Sequence, residues 1–301
     1  RDPKVIWYEP GQHWVMAVYD DTPAIGHSIA FYSSKNLKDW EHQSYLLGYY
    51  ECPELYQLPV LDAEGNPTTQ SKWVTAAADG AYAIGEFDGK TFKPDHKDKH
   101  RVFHGAYYAA QTFSQAPHGR RIQIAWARID MPDMPFNQTF TFPHELTLRQ
   151  TADGIRLFAE PVREIETLRK KQHKVSGKVL SEDVPVELNV AGGLLDIRAT
   201  FELGNASKVG LAFGGEEVAY DVKAAKLDWA PLRAVDGKIS IRVLVDRPML
   251  EICGNDGRAY VTKKRANPGP AAIPVIKAFA AGGSAKLVQL EVDELESIWS
   301  H

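Results

Sequence analysis

Apolar and polar positions alternate with a period of two along most of the chain. HWVMAVYD at 13–20, HSIAFYSS at 27–34, RRIQIAWAR at 120–128 and LLDIRATFEL at 194–203 all follow it. These runs are rich in β-branched and aromatic residues, which suit a half-buried pleated surface. Short turn signals separate them: EPGQ, DDTP, DAEGNP, FDGK, APHG and TADG. Gly, Pro, Asn and Asp supply the bends between strands. Helical spacing is nearly absent. The exception is PVREIETLR at 161–169. There Pro161 suits a first helical position, and Val162, Ile165 and Leu168 fall three apart on one face. The pattern predicts an all-β protein with one short connecting helix.

Before that helix, three stretches align beneath one another. The first runs RDPKVIWYEP, HWVMAVYD, HSIAFYSS, KDWEHQSYLL; the second ECPELYQLPV, KWVTAAADG, AYAIGEFDG, TFKPDHKDKH; the third AYYAAQTFS, RRIQIAWAR, PHELTLRQ, GIRLFAEP. Each is about fifty residues with three or four strands, the make-up of a β-propeller blade. A β-sandwich with similar strand spacing is the alternative for this pattern. After the helix come LLDIRATFEL, KVGLAFGG and KISIRVLVDRPMLEICGNDGRAYVT, with Asn255-Asp256-Gly257 as a hairpin signal. Alternating strands over such a length make a β-sandwich. The expected organisation is a partial propeller over 1–160, a linker with a short helix over 161–177 and a sandwich over 178–301. A propeller needs at least four blades to close, and the repeat supplies three. Open flanks would leave apolar surface and strand edges bare. A further segment before Arg1 is therefore expected in the intact protein.

Length and charge narrow the partners. A chain of 301 residues is ample for one or two cores. The net charge of −4 argues against nucleic acid or an anionic membrane as partner. The basic run LRKKQHK at 168–174 reads as a solvated helix face. No apolar stretch approaches the roughly 18 residues of a membrane span. Cys52 and Cys253 show no metal or disulfide pattern, and the histidines lack ligand spacing, so neither a metal nor a cofactor is implied. Asn137-Gln-Thr and Asn205-Ala-Ser match the glycosylation sequon, a triplet that also arises by chance.

The candidate chemistry rests on two carboxylates. Asp2 opens the first repeat and Glu51 the second. On equivalent blade starts they would point into one central cavity, as glycoside hydrolysis requires of its carboxylates. Each alone also fits a surface or turn position. Tyr49, Tyr50 and Pro53 beside Glu51 would raise its pKa toward that of a general acid, and Arg1 beside Asp2 would hold Asp2 ionised.

RDPKV, YECPEL, YYAAQTF, RRIQIAW and FPHELTLR, in that order, resemble glycoside hydrolase family 32, the invertases, inulinases, levanases and other β-fructosidases. RVLVDRPMLEICGNDGR resembles the signature of that family's C-terminal sandwich. The resemblance runs along nearly the whole chain. It implies a five-bladed propeller followed by a β-sandwich, and hydrolysis of fructosyl bonds of sucrose or fructans with retention of configuration. Asp2 would be the transition-state stabiliser and Glu51 the acid/base. Arg1 would neighbour both and help bind sugar. Trp126 would wall the furanose ring, with a core role in a blade strand as its alternative. Cys52 would be a packing residue. The partner implied is a fructose-containing oligo- or polysaccharide, in a secreted or periplasmic rather than cytoplasmic setting.

Two departures from the family pattern bear on function. Its nucleophile is an Asp in an NDPNG-type motif, which does not occur here, so the chain is expected to be nearly inactive alone. Many relatives also carry an Asp before the YY pair, where this chain has Ala106; His104 is nearby. The competing reading is a non-catalytic carbohydrate-binding protein whose propeller is completed by self-association through the open flanks. Another five-bladed glycosidase family, acting on arabinan, would fit the propeller but not the C-terminal signature.

Overall fold

A computed structural model of the chain describes residues 1–132, 134–266 and 273–298. Strands dominate it, and the short helices are of the 3-10 type. The chain divides into two compact units. One comprises Arg1–Phe103, Tyr107–Trp126 and Pro143–Phe158; the other comprises His104–Ala106, Ala127–Phe142 and Ala159–His301.

In the first unit, the first repeat forms an antiparallel sheet of its own. Lys4–Tyr8, His13–Asp20, Ser28–Ser34 and Glu41–Leu47 lie side by side in chain order. Alternation in His13–Asp20 is strict: every second residue is buried. Val15, Ala17, Ile29 and Phe31 thus share a core with Tyr49, Leu55, Ala83 and Phe87 from the second repeat. The other two repeats do not form separate sheets. Their strands join in one sheet, in the order Tyr107–Thr112, Ile122–Ala127, His144–Thr151, Glu54–Leu61, Pro67–Ala76, Ala81–Phe87, Phe92–Pro94. The join is a parallel contact, with Leu148 opposite Val60 and Arg149 opposite Leu61. The first repeat thus keeps a sheet to itself, while the second and third stay contiguous within one shared sheet.

In the second unit, a long antiparallel sheet runs Ala259–Lys264, Met249–Gly254, Lys238–Asp246, Leu194–Glu202, Ala285–Leu295, Arg169–Leu180. A second sheet runs Val186–Asn189, Val275–Ala281, Lys208–Phe213, Glu216–Asp221 and two short strands. Both contribute to a single core that includes Phe201, Leu211, Ile252, Ile276 and Leu290. Burying one such side chain contributes roughly 1.5–3 kcal/mol. The Asn255-Asp256-Gly257 turn is present: Asn255 and Asp256 have φ of 44° and 54°, the left-handed geometry of a tight hairpin. Gly257 (φ +93°) passes so close to Ala159 that a Cβ would lie 2.5 Å from its carbonyl oxygen.

Two local expectations change. The helix at 161–169 is a 3-10 turn over Arg163–Leu168, and Pro161 ends the preceding strand. Spacing by three is the 3-10 period, so Val162 and Ile165 turn inward in a segment too short for an α-helix. The basic run is not a solvated helix face. It begins a strand, Arg169–Leu180, antiparallel to the acidic end of Ala285–Leu295. Arg169 pairs with Asp293 at 2.9 Å, His173 with Glu294 at 2.7 Å and Lys174 with Glu291 at 2.5 Å. Opposite charges across a ladder stabilise it, and neither partner run reveals this alone. The sequon at Asn205 is also engaged, because Asn205 Oδ1 accepts the Ser284 amide at 2.7 Å.

Candidate active site

Two short motifs in the first unit repeat a backbone feature. Arg1-Asp2-Pro3-Lys4 and Glu51-Cys52-Pro53-Glu54 each lead into a strand that starts just after the proline. Proline has no amide to donate, so it sits without cost where the ladder has not begun. The residue before each proline lies in the left-handed region: Asp2 at φ 60° and Cys52 at φ 42°. Glu51 is there too, at φ 52°. Such conformations cost about 1–3 kcal/mol each and persist only where surrounding contacts impose them. Here the Ala78 amide clamps the second turn, donating to Glu51 O at 2.9 Å and Tyr50 O at 3.1 Å. The first is held by the Tyr19 amide, 3.0 Å from Arg1 O.

These turns bring the two carboxylates to one guanidinium. Arg1 Nε donates to Glu51 Oε1 at 3.1 Å and lies 3.9 Å from Asp2 Oδ2. Arg1 Nη2 also contacts Glu51 Oε1, and the guanidinium stacks on Tyr19, 5.0 Å from the ring centroid. The other Glu51 oxygen, Oε2, accepts the Tyr108 hydroxyl. Asp2 Oδ2 accepts the Cys52 amide at 3.2 Å, with the Cys52 thiol 3.7 Å away. Tyr108 in turn meets Trp126 edge to face, centroids 6.2 Å apart. Trp126 is 41% exposed, which removes the core reading of that residue. Arg1 thus links Asp2 to Glu51, and Tyr108 links Glu51 to Trp126, in one cluster.

The electrostatics differ from those expected along the sequence. Tyr108, then Arg1, hold the Glu51 carboxyl below the usual carboxylate range rather than above it. Two neighbours expected to dry Glu51 turn elsewhere: Tyr49 is in the core, and Tyr50 packs on Tyr19 and His27. Its real surroundings are donors, and hydrogen bonds to the charged form favour that form. Arg1 likewise makes its closest bonds to Glu51, not to Asp2. Burial, with help from Asp2, pushes the Cys52 thiol up to about 12, so it is a poor nucleophile at neutral pH. Burial and then Glu51 raise the Tyr108 hydroxyl, which stays a protonated donor. Tyr108 was missed in the sequence, although YYAAQTF opens the third repeat where Asp2 and Glu51 open the others. His104 and Ala106 belong to the second unit, where the Ala106 amide donates to Thr262 O at 2.8 Å. Among the described residues, no three His, Cys, Asp or Glu side chains are grouped to hold a metal ion.

The profile of the "Glycosyl hydrolases family 32 N-terminal domain" matches residues 1–161, and that of the "Glycosyl hydrolases family 32 C terminal" matches residues 214–294. The chain belongs to glycoside hydrolase family 32. Within the family it is 32% identical to a levanase of Bacillus subtilis (strain 168), over 99% of this chain and 51% of that protein. It is 25% identical to an extracellular exo-inulinase of Aspergillus awamori, over all of this chain and 65% of that one. The chain thus spans about half to two-thirds of the length of these family 32 relatives. In fold it is similar to the crystal structure of exo-inulinase from Aspergillus awamori, with TM-score 0.84 and 22% identity over 99% of this chain and 68% of that one. It is also similar to a β-fructofuranosidase from Schwanniomyces occidentalis complexed with fructosyl-erythritol, with TM-score 0.81, 23% identity, and 99% and 70% coverage.

Proposed function

We propose that this chain carries the acid/base and stabilising part of a β-fructosidase active site. The observation that carries the reading is the cluster in which one guanidinium reaches both Glu51 and Asp2 while Tyr108 holds the second oxygen of Glu51. Glu51, when protonated, gives its proton to the oxygen bridging fructose C2 and the leaving sugar. The C2–O bond then breaks through an oxocarbenium-like state. Asp2 stabilises that state through the fructose hydroxyls, and Arg1 and Trp126 bind and wall the ring. A carboxylate nucleophile captures C2. Ionised Glu51 next takes a proton from the water that releases fructose, and configuration is retained. The nucleophile belongs, in this reading, to the part of the family fold that these residues do not cover, so the chain alone is close to inactive.

The corresponding architecture is three blades of a five-bladed propeller followed by a β-sandwich. Val5, Trp7, Tyr45 and Leu47 are exposed on one face of the first sheet, which supports a propeller flank that packs on a further blade or on a second copy of the chain. Relatives named levanase and exo-inulinase support levan or inulin as substrate. The exo-inulinase is named extracellular, which supports secretion. Among the described residues no helix is long and apolar enough to cross a membrane.

Hydrolysis of sucrose, inulin and levan by this chain, and by a version extended at its N-terminus with the family's segment, tests the reading. The extended form should release fructose, and Glu51→Gln should lower kcat by about 10²–10⁴. Binding of fructose without product from any version would overturn the hydrolase and leave the carbohydrate-binding alternative.

A further inference from the structure

A buried polar cluster lies within a few residues of the site carboxylates. Lys4 Nζ donates to Glu54 Oε1 at 3.0 Å, to Thr112 O at 2.8 Å and to Thr112 Oγ1 at 3.2 Å. Glu54 Oε1 also accepts the Thr112 amide at 2.9 Å, and Oε2 accepts the Thr112 hydroxyl at 2.8 Å. Lys4, Glu54 and Thr112 are all buried. Every ammonium proton and both carboxylate oxygens are thus engaged away from water, as a buried ion pair must be to persist.

The placement of the three residues gives the cluster a meaning beyond stability. Lys4 is two residues after Asp2, Glu54 is three after Glu51, and Thr112 is four after Tyr108. Their strands are not ladder neighbours. Lys4–Tyr8 belongs to the first sheet and pairs with His13–Asp20, while Glu54–Leu61 and Tyr107–Thr112 are separated by two strands in the other. Ladder pairing does not therefore set the spacing between the strand starts that carry Asp2, Glu51 and Tyr108, although Ala78 bridges two of them through the backbone, its amide donating to Glu51 O and its carbonyl accepting the Ala109 amide, each at 2.9 Å. The geometry points to Lys4, Glu54 and Thr112 as a positioning node that holds these three strand starts, and so Asp2, Glu51 and Tyr108, in register. The inference rests on the glycosidase reading for the roles of Asp2 and Glu51.

Cys52 offers a readout that needs no turnover. Its amide and thiol both face Asp2 across the gap between two of these strands, while Cys253 is buried. Alkylation of Cys52 by iodoacetamide, followed by peptide mass, reports whether the Asp2–Cys52 contact survives. In the present chain Glu54→Gln should speed it at pH 8 at least about tenfold. Glu54→Asp, which keeps the ion pair, should have a smaller effect. The pair Lys4→Met with Glu54→Leu removes both charges without stranding either, so it should recover the melting temperature lost in Glu54→Gln but leave Cys52 fast. Recovery of slow alkylation along with the melting temperature would reduce the node to a strut, as would Glu54→Gln melting early with Cys52 unchanged. In the extended form, Glu54→Gln should lower kcat at least about tenfold with KM within about twofold. No fructoside hydrolysis by the extended wild type, with Cys52 still responding, would remove the glycosidase reading and leave the node. Full activity of Glu54→Gln in an active extended form would do the reverse.

Discussion

Replacing Tyr108 by Phe removes one donor from the site and little else. Glu51 Oε2 then loses the hydroxyl, while Oε1 keeps the Arg1 guanidinium. A hydrogen bond to a charged group contributes roughly 1.5–3 kcal/mol where water is excluded. The Glu51 side chain is 19% exposed, and screening brings this bond toward roughly 1 kcal/mol. The direction follows from the site: Tyr108 is the main cause of the depressed Glu51 pKa, so its loss raises that pKa. The first step needs Glu51 protonated, hence kcat/KM falls as pH rises through the Glu51 pKa. The falling limb of the wild-type profile should lie at low pH, and Tyr108→Phe should move it to higher pH. On that limb the variant should lose less rate than wild type, by up to about fivefold, even if its maximum is lower. Stability carries the matching sign. A carboxylate with depressed pKa stabilises the fold at neutral pH, and this contribution is lost as pH falls through the folded-state value. Tyr108→Phe should shrink that loss. The assay is kcat/KM for sucrose across the acid-to-neutral range with the extended form, beside melting curves of the present chain. A limb that stays put, or moves to lower pH, refutes the assignment of Glu51 as the acid held by Tyr108.

Other outcomes are equally specific. Trp126→Ala should raise KM several-fold with kcat nearly unchanged, because an aromatic face contributes roughly 0.5–1.5 kcal/mol of contact with a ring; an unchanged KM would remove Trp126 from the sugar site. Gly257→Ala should destabilise by about 2–4 kcal/mol in chemical denaturation, since a left-handed backbone and a clash with Ala159 add together; a neutral effect would show that the hairpin can shift. Asp196→Asn in the second unit should cost about 3–5 kcal/mol. Asp196 is buried and accepts Arg242 at 2.8 Å and 2.9 Å and Arg198 at 2.5 Å, and a loss below about 1 kcal/mol would mark these as weak surface pairs.

Much of this was legible along the chain. Strands fall where residues alternate, and Asn255-Asp256-Gly257 turns as its composition says. The RDP and ECP motifs place their carboxylates on one guanidinium, that of Arg1. The structure adds that Asp2 and Cys52, not Asp2 and Glu51, occupy the matching left-handed position before proline. The spacing of Val162, Ile165 and Leu168 was visible, but three residues per turn fits a short 3-10 segment as well as an α-helical face. The basic run misled because its partner strand lies more than a hundred residues away.

The sequence alone determined the all-β character, the turns and the motifs of family 32, because a period of two and the chemistry of Gly, Pro and Asn act on adjacent residues. Only the tertiary structure decided which strands share a sheet, that Tyr108 and Arg1 surround Glu51, and in which direction its pKa moves. Those depend on distances in space. A donor 57 residues away outweighs the two tyrosines just before Glu51, because a hydrogen bond to a carboxylate acts only at contact and chain adjacency does not ensure contact.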